Sequence, residues 1–285
     1  MIVTGIADEA SPDLDEQIRI HRALGWDTLE LRLIGNTNVC ELPEGEFEAA
    51  ALLLAEEAME VICFASPLAN WARPVTCDFR RDVEDLLRSA PRMRRLGTRF
   101  MRVMSYPNDG LEETQWRREA FRRMRELARI AEGEDVVLLH ENCSGWGGVS
   151  PANQRALVEE IASPHFQVVF DTGNPVAEGH PPQETWKFYT SVRPYVQHIH
   201  VKDCRREHDG RVVYTFPGEG DGMVREILKD AVDSGFAGAF SIEPHITAQI
   251  HLGTSADSQE SAESVYLEYG RKTEALLTEL VADSL

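Results

Sequence analysis

Eight short apolar runs alternate with eight longer amphipathic stretches along this chain, and that alternation limits the fold more than any other feature. The runs lie at residues 2–7, 28–34, 61–65, 99–106, 136–141, 166–171, 196–201 and 239–243. Helices are expected at about 12–24, 46–59, 78–96, 120–131, 151–162 and 184–192, then from a Gly-rich turn at 218–222 to about 234, and from about 258 onward. Ser150-Pro151 reads as an N-cap and first-turn pair, and Pro91 is expected to kink or split its helix. Each strand-helix unit fills roughly the 30 residues that a βαβ unit requires. Eight strict repeats of this kind close on themselves, so the expected fold is α/β, a single (β/α)8 TIM barrel over residues 1–285 as one domain. An open doubly wound sheet fits less well, because no GxGxxG follows the first run.

Four successive runs end in an ionisable residue. Val136 to Leu139 leads to Glu141; Phe166 to Phe170 ends in Asp171; Val196 to Val201 carries His198 and His200 and ends in Lys202; Ala239 to Ile242 ends in Glu243. A strand has a side-chain period of two, so Val137, Leu139 and Glu141 share a face, as do Val169 and Asp171, then His198, His200 and Lys202, and finally Ser241 and Glu243. The opposite parity on the last two strands is mainly aliphatic or aromatic (Ile199, Val201, Phe240, Ile242), as suits residues packed beneath helices. The polar set is therefore expected inside the barrel at its C-terminal mouth, where this architecture builds active sites. Three converging carboxylates repel one another unless protonated or paired with a cation. A divalent ion resolves the conflict, and an oxygen-rich set with one imidazole favours Mn²⁺, Mg²⁺ or Co²⁺ over structural zinc. Any one of these residues alone reads more simply as a loop ion pair or a turn; the recurrence on four strands carries the argument. His198 reads as a partner inside the barrel and His140, on the other parity, as structural.

Charge excludes one class of partner. The chain carries 48 acidic and 29 basic residues, a net charge of −19, whereas nucleic-acid binding relies on Lys and Arg neutralising phosphates. Five cysteines without CxxC spacing fit reduced thiols, and the sequence opens without a basic, apolar leader or any membrane-length apolar segment, so a cytoplasmic location without membrane attachment is expected.

Five short motifs then carry a resemblance: Glu141-Asn142, Asp171-Thr172-Gly173-Asn174, His200-Val201-Lys202-Asp203, the turn Pro217 to Asp221, and Ile242-Glu243-Pro244. Together they resemble the xylose-isomerase-like superfamily of sugar isomerases and epimerases, which also holds inosose dehydratases and isomerases, ketose 3-epimerases and, more remotely, endonuclease IV. The resemblance covers essentially the whole chain. It implies that Glu141, Asp171, His200 and Glu243 ligate one divalent ion, Mn²⁺ first with Mg²⁺, Co²⁺ or Zn²⁺ as substitutes, and that Glu141 and Glu243 form the acid/base pair. It also implies a small sugar or cyclitol substrate, and a homo-oligomer by analogy with relatives. The chemistry is coherent: chelating a hydroxy-ketone acidifies the adjacent C–H, and two glutamates then remove and return the proton on opposite faces of an enediolate. Isomerisation or epimerisation of a keto-sugar or cyclitol is the first reading. The alternative is a metal-dependent lyase, of the inosose dehydratase or 3-keto-glycoside-cleaving type, in which the same base drives β-elimination. An endonuclease requires a His-richer multi-metal set, and a non-catalytic binding module would not depend on the ligands. Candidate substrate contacts are Lys202, Arg206, Trp146, Trp71, Asn174 and His198, with Arg206 carried over from a ketose 3-epimerase arginine six positions after the metal-binding histidine. Two departures weigh against the 3-epimerases themselves: Asn174 replaces their histidine in Asp-Thr-x-His, and Val201-Lys202-Asp203 replaces Thr-Gly-Glu.

Overall fold

Residues 1–246, 248–249, 254–255 and 261–284 are described by a computed structural model. The barrel strands are β1 (Ile2–Gly5), β2 (Thr28–Leu31), β3 (Glu60–Ala65), β4 (Phe100–Ser105), β5 (Val137–Gly145), β6 (Phe166–Asp171), β7 (Val196–Val201) and β8 (Ala239–Ile242). They form one sheet in the order β1-β8-β7-β6-β5-β4-β3-β2, with every ladder parallel. A parallel bridge between Ile6 and Glu30 joins the two outer strands and closes the ring. The surrounding helices are α1 (Leu14–Ala23), α2 (Glu44–Glu56), α3 (Arg80–Leu96), α4 (Glu113–Gly133), α5 (Pro151–Ile161), α6 (Pro182–Val192), α7 (Val224–Asp233) and α8 (Ala262–Ala282). The expected (β/α)8 barrel is the observed fold.

Local chemistry explains the punctuation. Ser150 Oγ accepts the amide of Asn153 at 3.1 Å and Ser261 Oγ that of Ser264 at 3.1 Å, which caps α5 and α8. Gly97 ends α3 at φ 74°, a left-handed conformation that costs glycine nothing. Three expectations shift. The run at 28–34 divides: Leu33–Ile34 leaves the barrel and pairs with Thr37–Asn38 as a small hairpin turning at Gly35 (φ 61°). The helix carrying Pro91 runs unbroken, because Leu86, Ala90 and Met93 stay buried on its core stripe and offset the bond that proline removes. The closing helix begins at Ala262, and the expected start near 258 lies outside the described residues.

Parity sorts the strands into two environments, as the period-two reading requires. Leu29, Leu31, Phe64, Met101, Val103, Leu138, Phe170, Ile199, Val201, Phe240 and Ile242 belong to the large cluster between strands and helices. Cys63, Val137, Leu139 and Val169 form a separate small cluster inside the barrel. Above that apolar plug the interior turns polar, with Glu30, Arg102, Glu141, His198, His200 and Ser241 all buried. A hydrophobic floor beneath a charged layer sets the position of the site.

Candidate functional site

β5, β6, β7 and the residue after β8 deliver Glu141, Asp171, His200 and Glu243 to one point, each at most 5% exposed. One ligand atom from each lies within 4.8 Å of those of the other three. His200 Nδ1 is 3.7 Å from Glu141 Oε1, 3.9 Å from Asp171 Oδ2 and 3.7 Å from Glu243 Oε2, and it hydrogen-bonds none of them. These spacings are too long for hydrogen bonds. They approach the separation of about 3.4 Å between two ligands that each stand about 2.1 Å from a shared ion at a tetrahedral angle. The donor set therefore fits one divalent cation.

Neighbouring groups aim each ligand. His200 Nε2 lies 3.2 Å from both oxygens of Glu30, and His198 Nε2 lies 2.8 Å from Glu30 Oε2. A carboxylate only accepts, so His200 donates from Nε2 to Glu30 and turns Nδ1 to the three oxygens; burial lowers its pKa, but Glu30 and Glu141 outweigh that and hold it well above 6.5, so the imidazole gives up its Nδ1 proton to become a ligand. Asp171 Oδ1 accepts the amides of Gly173 at 2.8 Å and Asn174 at 2.7 Å, which fixes the side chain with Oδ2 turned to the centre. Asn142 holds the Asp171 backbone from both sides: its Nδ2 donates to the carbonyl at 2.8 Å and its Oδ1 accepts the amide at 2.7 Å. Asn174 Nδ2 donates to Glu141 Oε1 at 2.9 Å.

Three cations balance the carboxylates. Lys202 Nζ bridges Asp171 Oδ2 at 2.8 Å and Glu243 Oε2 at 2.9 Å. Arg32 reaches Glu243 Oε1 at 2.9 Å, Asp8 Oδ2 at 3.0 Å and Glu9 Oε1 at 3.4 Å. Arg102 Nη1 lies 3.3 Å from Glu141 Oε2. Burial alone raises a carboxyl pKa. For Glu141 that effect is overcome by Arg102 and then His200, which hold it at about 2; for Glu243, Lys202, His245 and His200 overcome it and hold the carboxyl well below 4.5. Asp171 goes the other way: burial, reinforced by Glu243 and Glu141, outweighs Lys202 and lifts it to about 6.

A cavity of about 180 Å³ opens above these groups, lined among others by Arg102, Glu141, Lys202, Glu243, Asn174 and the half-exposed Trp71. Of the candidate substrate contacts, Lys202, Asn174 and Trp71 line it and His198 lies deeper, against Glu30. Trp146 and Arg206 stand elsewhere. The Trp146 indole is buried, donates from Nε1 to Glu113 Oε1 at 2.7 Å and packs edge-on against Phe121; Arg206 is exposed and donates to the Ala177 carbonyl at 2.8 Å. His140 is buried, Gln154 Nε2 lies 3.2 Å from its Nδ1, and burial lowers the imidazole pKa to about 3, which suits the structural reading. Glu30, Arg32 and Arg102 are the site residues that the motifs do not announce. Their signal is a charged residue at the inner parity of a strand otherwise rich in Leu, Met and Val.

The comparisons with known proteins agree with the fold. The family model described as xylose isomerase-like TIM barrel matches residues 18–266. The 2-epi-5-epi-valiolone 7-phosphate 2-epimerase of Actinoplanes sp. is 30% identical over 218 residues, 74% of each chain. Among solved structures, the probable 3-DHS dehydratase AsbF of Bacillus anthracis superposes with a TM-score of 0.73 at 14% identity, over 96% of this chain and 99% of its own. L-ribulose 3-epimerase gives 0.72 at 16%, over 100% and 97%. Two further neighbours of this fold were solved with an ion, a Mycobacterium smegmatis protein with magnesium and the IOLI protein with zinc, at TM-scores of 0.69 and 0.68 and identities of 17% and 14%; they cover 100% of this chain, and 97% and 99% of their own lengths are matched. On its matched length and on the fold that carries it, this chain belongs to the xylose isomerase-like TIM-barrel family.

Proposed function

We propose that this protein is a divalent-metal-dependent isomerase or epimerase of a keto-sugar or keto-cyclitol, working by proton transfer through an enediolate. One observation carries the reading: His200 Nδ1 faces Glu141, Asp171 and Glu243 without bonding any of them, beneath a cavity that Glu141 and Glu243 both line. Glu141, Asp171, His200 and Glu243 would hold the ion, with Mn²⁺ as the expected occupant and Mg²⁺, Co²⁺ or Zn²⁺ able to replace it. A bound divalent cation supplies Lewis-acid polarisation of a carbonyl.

The protein's own groups do the rest. Glu141 and Glu243 are both held ionised in the empty cavity; one removes the proton from the carbon beside the carbonyl, and the other, once it has taken a proton from solvent water, delivers that proton to the opposite face. Lys202 offsets the charge of Asp171 and Glu243, and Asn174 fixes the rotamer of Glu141. Trp71 offers an apolar face to a sugar ring at the cavity mouth. The Actinoplanes relative supports epimerisation, since its name describes inversion at carbon 2 of a phosphorylated ketone. The reading takes residues 1–285 as one catalytic domain.

The test is incubation of the metal-loaded protein with a panel of keto-sugars and keto-inositols in D2O. The reading expects solvent deuterium at the carbon beside the carbonyl, and its loss by at least about 1,000-fold in Glu243→Gln, which keeps the shape and removes the base. Elimination of water or of an aglycone instead would move the assignment to a lyase. Undiminished exchange in Glu243→Gln would remove Glu243 from the mechanism.

A further inference from the structure

Arg102 is a buried cation whose donors are incompletely used by the described residues. It is 7% exposed, and among those residues its Nε has no hydrogen-bond partner and its one ion pair, to Glu141 Oε2, is long at 3.3 Å. A guanidinium offers five N–H donors and never loses its charge, so a desolvated one with a single distant partner is expensive to maintain. The other two cations at the cavity differ in this respect. Arg32 is shared among Asp8, Glu9 and Glu243, and Lys202 between Asp171 and Glu243. Arg102 also lines the cavity beside Glu141. Once Glu141 gives an oxygen to a cation, the guanidinium is the group at that wall with positive charge to spare.

We infer that Arg102 is a catalytic residue that donates hydrogen bonds to the substrate oxygen on which negative charge develops as the enediolate forms; this rests on the function proposed above. In that step a glutamate takes the proton, the C–H pair becomes the C=C bond, and the carbonyl π pair moves to oxygen, where Arg102 meets it without transferring a proton. Reprotonation of carbon reverses the flow. Because the donors are in place before the charge appears, they stabilise the transition state more than the neutral ketone.

The test uses metal-loaded wild type, Arg102→Met and Arg102→Lys. For Arg102→Met, deuterium exchange on the ketone that wild type turns over should fall about 100-fold in kcat with KM changed less than about threefold, the range seen when one oxyanion donor is lost. Threonohydroxamate, which mimics an enediolate, should bind about 100-fold more weakly by calorimetry, while metal content stays at the wild-type level. Arg102→Lys should recover part of the loss, and so should free guanidinium added to Arg102→Met. A raised KM with unchanged kcat, or undiminished hydroxamate binding, would overturn the assignment and leave the proposed function standing. A wild type inert towards the whole ketone panel and towards the hydroxamate would overturn both. Thermal stability, measured on the metal-loaded proteins so that the ion compensates Glu141 once Arg102 is gone, separates a structural role: Arg102→Met should leave Tm near the wild-type value, whereas an arginine needed to hold the fold would show a fall.

Discussion

Glu30 is the group on which the orientation of the centre depends, and Glu30→Gln is the perturbation that isolates it. The carboxylate is 1% exposed and faces His198 Nε2 at 2.8 Å and His200 Nε2 at 3.2 Å from both oxygens. Hydrogen bonds to a charged group contribute about 1.5–3 kcal/mol and neutral ones about 1, so the amide should lose roughly 1–2 kcal/mol per imidazole. The amide NH2 also opposes one of the two Nε2–H donors, which pushes an imidazole to its other tautomer. If His200 shifts, Nδ1 gains a hydrogen and can no longer ligate. Changes to a partner of a ligating histidine lower metal affinity about 10- to 100-fold, or roughly 1.4–2.7 kcal/mol. Calorimetric Mn²⁺ titration should show that loss, and melting of the metal-free variant a Tm lower by at least about 4 °C. The pH dependence has a defined sign. Burial raises the Glu30 carboxyl, but His200 and His198 outweigh it and hold it well below 4.5. A depressed acid contributes stability above its unfolded pKa and loses it as pH falls towards the folded value, so the Tm gap between wild type and variant should narrow below about pH 4.5. Metal affinity within twofold of wild type would refute the reasoning.

Two other outcomes follow from the same geometry. Asp171 is lifted to about 6, so its proton must leave before it can ligate. Metal binding measured in buffers of different ionisation enthalpy should release about one more proton at pH 5 than at pH 8, the difference coming from this group, with affinity falling as pH drops through about 6; pH-independent release would count against it. The raised carboxyl also means that the metal-free protein loses a stabilising contribution as pH climbs from 3.8 to about 6. The two tryptophans should part company: Trp71→Ala should raise KM without lowering Tm, because the ring is 49% exposed at the cavity, whereas Trp146→Ala should destabilise by about 3–5 kcal/mol with kcat/KM of the folded fraction little changed, because it empties a packed site. Kinetics alongside thermal melts would distinguish the two.

The barrel and its four convergent side chains were legible because both follow from chain periodicity. An apolar run of alternating parity places Glu141, Asp171, His200 and Glu243 on the inner face whatever the loops do. Charge balance was not legible, because it depends on which strands face each other across the ring. Glu30 on β2 meets His198 and His200 on β7, 168 and 170 positions further along the chain, and nothing local in either run announces that contact. Arg32 lies where the run at 28–34 leaves the barrel, and the turn at Gly35 that ends the strand early also frees this arginine to reach Asp8, Glu9 and Glu243. Trp146 shows the opposite limit. Its place in a Gly-rich loop beside Glu141 points to the mouth, but Gly147 and Gly148 let the loop fold back tightly: a Cβ on Gly148 would stand 1.4 Å from the Cys143 carbonyl oxygen, and the indole turns to Phe121 and Glu113. Proximity in sequence to a site residue did not mean proximity to the cavity.

The most direct test of the central claim is anomalous diffraction at the manganese edge from crystals of the protein soaked in Mn²⁺. The account predicts one peak, about 2.0–2.3 Å from His200 Nδ1 and from an oxygen each of Glu141, Asp171 and Glu243. A well-ordered crystal with no peak there, or with the ion among Glu9, Glu243 and His245 instead, would contradict it.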